Sequence, residues 1–394
     1  MSEVVEHTEV GAPTAPAQEL RIARVEVRST RLGVTRPHQM AIGTTNFQEN
    51  VVVKLIAEDG TFGYGEAPHM VGHSQRGETP GTVRVVLRDK LIPRVLGLDA
   101  MSREGLSRAL AAAVPGNLRA KGALVMAAYD LTGRALGTPV YNLLGGLVRD
   151  CVPLSWSLPI VEIDAVVEEG VRMVDRGWRI LKVKIGRPDP LDDVKAVLAL
   201  RKAVGDGVDI RADANQAYDV KTAIRVIRRM EEAEPGFVEQ PVNRDDLEGM
   251  AAVRAQVGVP IMADESAETP EDVIAIWRAR AADSVSIYVI GPGGLDRSKR
   301  MASIAEACRL RAYVGGALES AIGASAGLHL AASSPAIDLG CEMSGRYLLV
   351  DDFAEQIPME DGALVVPRGP GLGVEVDEEK LERYREGDVE RFEG

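Results

Sequence analysis

The chain has 394 residues, 45% of them hydrophobic and 27% charged, with a formal net charge of −13. Such a length supports a large core and, by default, two domains, and the composition is that of a globular protein. The acidic balance speaks against sequence-independent binding to nucleic acid or to an anionic membrane surface, so neither is an expected partner; a small anionic substrate stays open, because local charge decides that.

The first 19 residues carry charge, Pro, Gly and Ala but no basic region followed by an apolar run. They read as a disordered tail rather than a signal peptide, with the fold starting near Leu20. Cys151, Cys308 and Cys341 show no CxxC spacing and are read as reduced thiols of a cytoplasmic protein. No stretch has the length and apolarity of a membrane span. From 20 to about 60 the pattern is strand-like: "RIARVEVRSTRL" alternates, and "NVVVKLIAEDGTFGYGEA" is a β-branched run with a DG turn. The polar segment between them, "GVTRPHQMAIGTTNFQE", reads as a loop, as does "APHMVGHSQRGETP". Residues 122–146 predict a helix with its end signals.

From 150 onward, short apolar runs alternate with amphipathic stretches. Strands are predicted at 152–158, 179–186, 208–215, 236–242, 259–266, 283–290, 311–320 and 337–344. "TPEDVIAIWRARA" offers Thr269 as N-cap and Pro270 at the first helical position. Eight strands alternating with helices imply a parallel sheet, and eight in series imply a barrel more than an open sheet. No clear helix follows the eighth strand, so the C-terminal segment is expected to return to the N-terminal domain. The expected division is a tail over 1–19, an α+β domain over 20–148, a barrel over 149–350 and a return over 351–394.

In such a barrel, function sits at the C-terminal ends of the strands. Strand two ends in "LKVKIG", where Lys182 and Lys184, two apart, share a face. Asp213, Glu239 and Asp264 end the next three strands, at steps of 29, 26 and 25 residues from Lys184. Each step is one βα unit, so the three acids converge. Three carboxylates without His or Cys form a hard-cation site: Mg²⁺ suits it, Mn²⁺ would also fit, and zinc is disfavoured. A lone acid after a strand is ordinarily a helix cap, and a lone "KVK" ordinarily a wet edge; the combination carries the signal.

These residues resemble the enolase superfamily, in the mandelate racemase/muconate lactonizing enzyme family and its muconate lactonizing subgroup. "AAYDLTGRALGTPVYNLLGG", "LKVKIG", "RADANQAY", "FVEQP", "MADES" and "GPGLGV" carry the resemblance, which covers the chain from about 20 onward. It implies a (β/α)7β TIM-like barrel with an N-terminal α+β capping domain completed by the C-terminal segment. It implies Asp213, Glu239 and Asp264 as Mg²⁺ ligands, Lys184 as acid/base catalyst and Lys182 as its helper at the substrate carboxylate. It further implies a small carboxylate substrate and a homo-oligomer, a symmetric dimer or an octamer. Chemically, a divalent cation stabilises an enolate, and Lys182 together with the cation is expected to push the Lys184 pKa down.

One position departs from the pattern. Tyr288 stands where many relatives carry a strand-six lysine, and the Asp–His pair of mandelate racemase-like members is missing from strands six and seven. With one amine face, a two-base racemase or epimerase is disfavoured, while a muconate-type cycloisomerase or a hydroxy-acid or hydroxyproline-type dehydratase is expected; the alternatives are a racemase or epimerase of an amino acid derivative and a non-catalytic carboxylate-binding relative. Tyr288 could donate a proton or only line the pocket. The resemblance places substrate specificity in the capping loops and the ends of strands one, seven and eight. The candidates are His38, Phe47, His69, His73, Trp156, Asn215, Glu319 and Glu342; for the histidines a solvated loop position is an equal reading. His329 looks like helix packing.

Overall fold

A computed structural model of the protein describes residues 19–70 and 77–394. His73 and the expected tail to residue 18 lie outside them. Three strands open the chain: β1 (Ile22–Met40), β2 (Gly43–Ala57) and β3 (Phe62–Met70). A short β4 (Cys151–Pro153) precedes eight barrel strands. These are β5 (Ser155–Leu158), β6 (Ile180–Lys184), β7 (Asp209–Asp213), β8 (Val238–Glu239), β9 (Ile261–Ala263), β10 (Ser284–Ile287), β11 (Arg311–Val314) and β12 (Ile337–Cys341). Then come β13 (Met359–Glu360), β14 (Ala363–Val365) and β15 (Arg385–Glu393).

The barrel strands pair in sequence order from β5 to β12, all parallel. Closure comes from a parallel bridge between Leu154 and Cys341, reinforced by the Ser155 hydroxyl donating to the Cys341 carbonyl at 3.1 Å. The helices are set by local signals. Thr269 caps Pro270–Ala279 by accepting from the Asp272 amide at 3.2 Å, while Asp272 accepts from the Thr269 amide at 2.8 Å. Directly after β12 comes a four-residue helix, Gly345–Leu348; a six-residue helix, Glu378–Arg383, forms later, just before β15. The barrel interior below its mouth is packed: Arg211 lies 4.8 Å from the Phe237 ring centroid and 5.4 Å from that of Tyr313.

The capping sheet runs β15-β1-β2-β3, antiparallel throughout, so the C-terminal segment supplies its edge strand. Its other face packs on the helix Leu118–Ala135. Gly63 and Gly65 of β3 permit the contact: a Cβ at Gly65 would stand 2.1 Å from the Ala123 carbonyl oxygen. The helix starts four residues before the expected 122 and stops at Ala135. Gly137 at φ 63° ends it, and a separate turn, Val140–Leu143, follows.

Two segments read as loops are strands. "GVTRPHQMAIGTTNFQE" forms the far end of the β1–β2 ribbon, with His38 opposite Thr45 and Met40 opposite Gly43. "APHM" is the end of β3. Their polar residues did not follow a simple buried/exposed alternation because the ribbon reaches past its own sheet. Its tip lies on the barrel mouth: Arg36 donates to Glu169 at 2.6 Å and to the Ser157 carbonyl at 3.0 Å.

Candidate active site

Strand register builds the site. Lys184 of β6 lies opposite Asp213 of β7, and Asp213 opposite Glu239 of β8. Asp264 follows β9 directly. Lys182, Lys184, Asp213, Glu239 and Asp264 are all buried. Lys182, Lys184, Asp213 and Asp264 line a cleft of about 620 Å³ counting its open mouth, whose walls include His38, Met40, Ile42, Arg119, Ser157, Asn215, Tyr288 and Leu318, and Glu239 joins them through Lys182.

Backbone and side-chain groups of the following loops hold these strand ends in place. The Asn215 amide donates to Asp213 Oδ1 at 3.0 Å, from a residue at φ 40°. Gln240, at φ 36°, accepts from the Asp264 amide at 3.0 Å and the Ser266 amide at 3.2 Å, and donates to Ser266 Oγ at 2.9 Å. Left-handed backbone on non-glycine residues at these strand ends is the kind of strain that functional sites hold.

The electrostatics are dense. Lys182 Nζ donates to Glu342 at 2.5 Å and to Glu239 Oε2 at 3.1 Å, and lies 3.3 Å from Asp213. Lys184 Nζ donates to Asp213 at 2.5 Å and to Asn215 Oδ1 at 3.3 Å. The protein groups alone act on Lys184 in both directions. Burial, the largest effect, lowers its pKa and Lys182 lowers it too, but Asp213, Glu342 and Glu239 carry it above the ordinary lysine value. Burial would lift Asp213, yet the two ammonium groups hold it at about 2.

Among the described residues no three His, Cys, Asp or Glu side chains stand as a ready metal cluster. The lysines draw Asp213 and Glu239 to themselves. Asp264 is left over: its Oδ1 is buried without a hydrogen-bond partner. Its carboxyl is pushed up to about 8 by burial and by repulsion from Glu265 and Asp213. An all-oxygen donor set with an unsatisfied buried oxygen fits a hard divalent cation, once Asp213 and Glu239 exchange ammonium contacts for it.

Tyr288, directly after β10, donates to Asp264 Oδ2 at 3.4 Å, and burial raises its pKa well above 10. Its ring crosses Gly315, where a Cβ would lie 2.5 Å from ring atoms. His38 is buried, not solvated. Arg36 Nη1 lies 3.1 Å from its Nδ1, and an arginine only donates, so Nε2 carries the imidazole proton and points at Ser157 Oγ, 3.2 Å away. Burial and then Lys184 hold the His38 pKa well below its usual value, so the ring stays neutral.

Other candidates fall elsewhere. Trp156 turns away from the barrel axis, donating to Glu169 at 2.8 Å and packing 4.9 Å from Trp178. Alternation along "SWSL" puts Ser157, opposite Lys182, on the cleft side instead. Phe47 lies under Arg31, 3.3 Å from its ring centroid, outside the cleft walls. His69 ends the described side chains of β3 beside Pro68 and is held near 4 by burial and Arg119. Glu319 accepts the Ala317 amide at 2.9 Å behind the cleft wall. His329 is buried in the helix Ala321–Ala332, with Nε2 3.0 Å from the Leu372 carbonyl. Sequence reasoning missed Arg119, Ser157, Met40 and Ile42; the period-two pattern of "SWSL" could have found Ser157.

Comparison with known families settles the lineage. The model described as "Mandelate racemase / muconate lactonizing enzyme, N-terminal domain" matches residues 23–145, and "Enolase C-terminal domain-like" matches residues 165–380. The chain belongs to the mandelate racemase/muconate lactonizing enzyme family. As a member of this enolase-superfamily group of divalent-metal-dependent enzymes, it is similar to chloromuconate cycloisomerase CbnB of Cupriavidus necator: 33% identical over 93% of this chain and 99% of that one. It is 31% identical to the L-Ala-D/L-Glu epimerase of Bacillus subtilis over 90% of this chain and 97% of that one. The crystal structure of muconate lactonizing enzyme from Pseudomonas fluorescens complexed with muconolactone superposes with a TM-score of 0.91, at 34% identity over 94% of this chain and all of that chain. The barrel expected from the eight alternating strands and the cap that the resemblance implied are those of this family, and no helix among the described residues is long and apolar enough to cross a membrane.

Proposed function

We propose that this protein is a Mg²⁺-dependent cycloisomerase of small unsaturated carboxylates, with Lys184 as the acid/base group. The observation that carries the reading is the convergence of Lys182, Lys184, Asp213, Glu239 and Asp264 at one end of the barrel, opposite Tyr288. Similarity to cycloisomerases over nearly the whole chain supports it. In this reading the cap spans 20–148, the barrel 149–350 and the return 351–394.

Asp213, Glu239 and Asp264 would hold the cation, with Mn²⁺ as an alternative. When bound, it supplies positive charge against the carboxylate oxygens on which an enolate develops. In cycloisomerisation, an oxygen of one carboxylate attacks the alkene carbon and a C–O bond forms. The alkene electron pair moves into the enolate of the other carboxylate, and the Lys184 ammonium delivers a proton to its α-carbon. Lys182 adds charge near that carboxylate. Ser157, accepting from His38, turns its own O–H towards the cleft as a further donor. Run in reverse on a hydroxylated substrate, the same amine would abstract an α-proton and a β-hydroxyl would leave, which is the dehydratase variant.

An epimerase is the second reading, favoured by the Bacillus relative. It needs a second base on the opposite face, and Tyr288 there stays protonated. Deuterium exchange decides between them. Turnover in D₂O should place one deuterium at a single stereochemical position of the product, and Lys184→Ala should lower kcat by about 10³-fold or more. Exchange into both enantiomers of an α-amino acid derivative would sink the one-base mechanism.

A further inference from the structure

The end of the barrel away from the catalytic cleft carries a second concavity. It lies where the helices Leu247–Arg254, Pro270–Ala279 and Leu295–Ala307 run out and the chain turns into β9, β10 and β11. Its space is about 1110 Å³ counting the open mouth, and its walls include Arg254, Trp277, Arg278, Arg280, Asp283 and Arg309. Four arginines thus gather around one carboxylate, on a chain whose net charge is −13. That carboxylate is already engaged: Arg254 Nη2 lies 2.7 Å from Asp283 Oδ1, and the Ile261 amide donates to Oδ2 at 2.9 Å. Among the described residues, Arg278, Arg280 and Arg309 form no ion pair.

Two of these arginines sit on backbone that resists them. Arg280 has φ 55° and Arg309 φ 58°, each just past the end of its helix. Glycine takes this left-handed position at least cost and commonly closes a helix there. Gly177 at φ 97° does so after the helix Ile163–Asp175, and Gly205 at φ 75° after Pro190–Val204. The helix dipole accounts for Arg254 and Arg278, which stand in last turns; it does not call for arginine where glycine is easier. Trp277 adds a flat apolar face beside them. It is 50% exposed, whereas Trp156 and Trp178 are 7% and 2% exposed.

We infer that this groove is a second binding site, for a ligand that joins an aromatic ring to a polyanion: a nucleoside di- or triphosphate. The ring lies on the Trp277 indole, and Arg278, Arg280 and Arg309 hold the phosphates. A guanidinium fork pairs with phosphate oxygens two at a time. An indole face takes a base without reading its hydrogen-bonding edge. The site is separate from the catalytic one, since Arg280 precedes β10 and Tyr288 follows it.

The test separates binding arginines from structural ones. ATP, AMP and pyrophosphate are titrated into the full chain with Mg²⁺ in excess, by calorimetry and by tryptophan fluorescence. ATP should bind about 10-fold or more tightly than AMP, the worth of added charge-assisted hydrogen bonds. It should exceed pyrophosphate by about 10-fold, the worth of one stacked base. ATP should quench the emission of the exposed Trp277, and Trp277→Phe should remove the quenching and bring ATP down to the affinity of pyrophosphate. Arg280→Gly and Arg309→Gly each delete a guanidinium from a position that glycine prefers. Each variant should lose about 10-fold in ATP affinity yet melt no lower than wild type. An arginine held for the fold would show the reverse, a lower melting temperature with ATP affinity unchanged, and that result overturns the inference. So does ATP binding no tighter than AMP, or ATP binding that survives both glycine variants, as binding in the catalytic cleft would.

Discussion

At the scale of single residues, the site is shaped by who occupies the space beside each charge. Tyr288 illustrates it. The phenol reaches Asp264 only because residue 315 has no side chain, since a Cβ there would lie 2.5 Å from the ring. Gly315→Ala should push the ring aside and cost about 1–3 kcal/mol from overpacking. Thermal melting would show the destabilisation. A stereochemical assay of solvent deuterium would show whether the face opposite Lys184 has opened; an alanine variant as stable as wild type would mean the ring moves freely and is not held. Phenylalanine at 288 is the complementary probe, because it keeps the packing and removes only the hydroxyl.

At the scale of elements, each barrel strand hands its charge to a neighbour whose loop then steadies it. Gln240 of "FVEQP" works for the following strand, accepting the Asp264 and Ser266 amides. Gln240→Ala would leave both amides buried without that acceptor, at about 1–3 kcal/mol. It should also weaken divalent-metal affinity by about 10- to 100-fold, as loss of an orienting group around a metal ligand does. Metal titration followed by calorimetry reads this directly, and unchanged affinity in a folded variant would refute the positioning role. The strand-end acids and lysines were legible in the sequence because one βα unit repeats at nearly constant length, so spacing alone predicts convergence. The ribbon carrying His38, Met40 and Ile42 was not, because its partner surface is a different domain and leaves no period in the local sequence. Trp156 misled for a simpler reason: its size drew attention away from the parity of "SWSL", which sends it outward with Leu158 and sends Ser157 in.

At the scale of the molecule, cap and barrel are joined by buried charge as well as by apolar packing. Glu66 of β3 accepts from the Ser320 amide at 2.9 Å and the Gly323 amide at 3.2 Å, at the start of the helix Ala321–Ala332 of the barrel. The Ser320 hydroxyl donates to its other oxygen. Burial, with repulsion from Asp352 and Glu319, pushes its carboxyl up to about 8 despite those bonds. The ordinary value is about 4.3. A group raised on folding contributes stability that is fully present below its unfolded pKa and is lost as pH rises through the folded one. The wild type should therefore lose this contribution between about pH 4 and pH 8. Asp352, at about 6, and Glu319, at about 7, act with the same sign, so the comparison with Glu66→Gln isolates Glu66. The melting temperature of the wild type relative to that variant should fall across this range; a constant difference would remove the joint from the pH dependence.

The edge strand β15 has a temporal meaning. A ribosome makes β1, β2 and β3, then all eight barrel strands, and only afterwards the strand that pairs Arg24 with Glu393 and Val27 with Glu390. Until then β1 presents a bare edge, which a nascent chain must keep from foreign partners. The barrel, whose strands pair with sequence neighbours, can assemble earlier. The part of the cleft wall formed by His38, Met40 and Ile42 rests on the last sheet to close, so a chain interrupted late in synthesis would possess the acids and lysines while its cover was still unfinished.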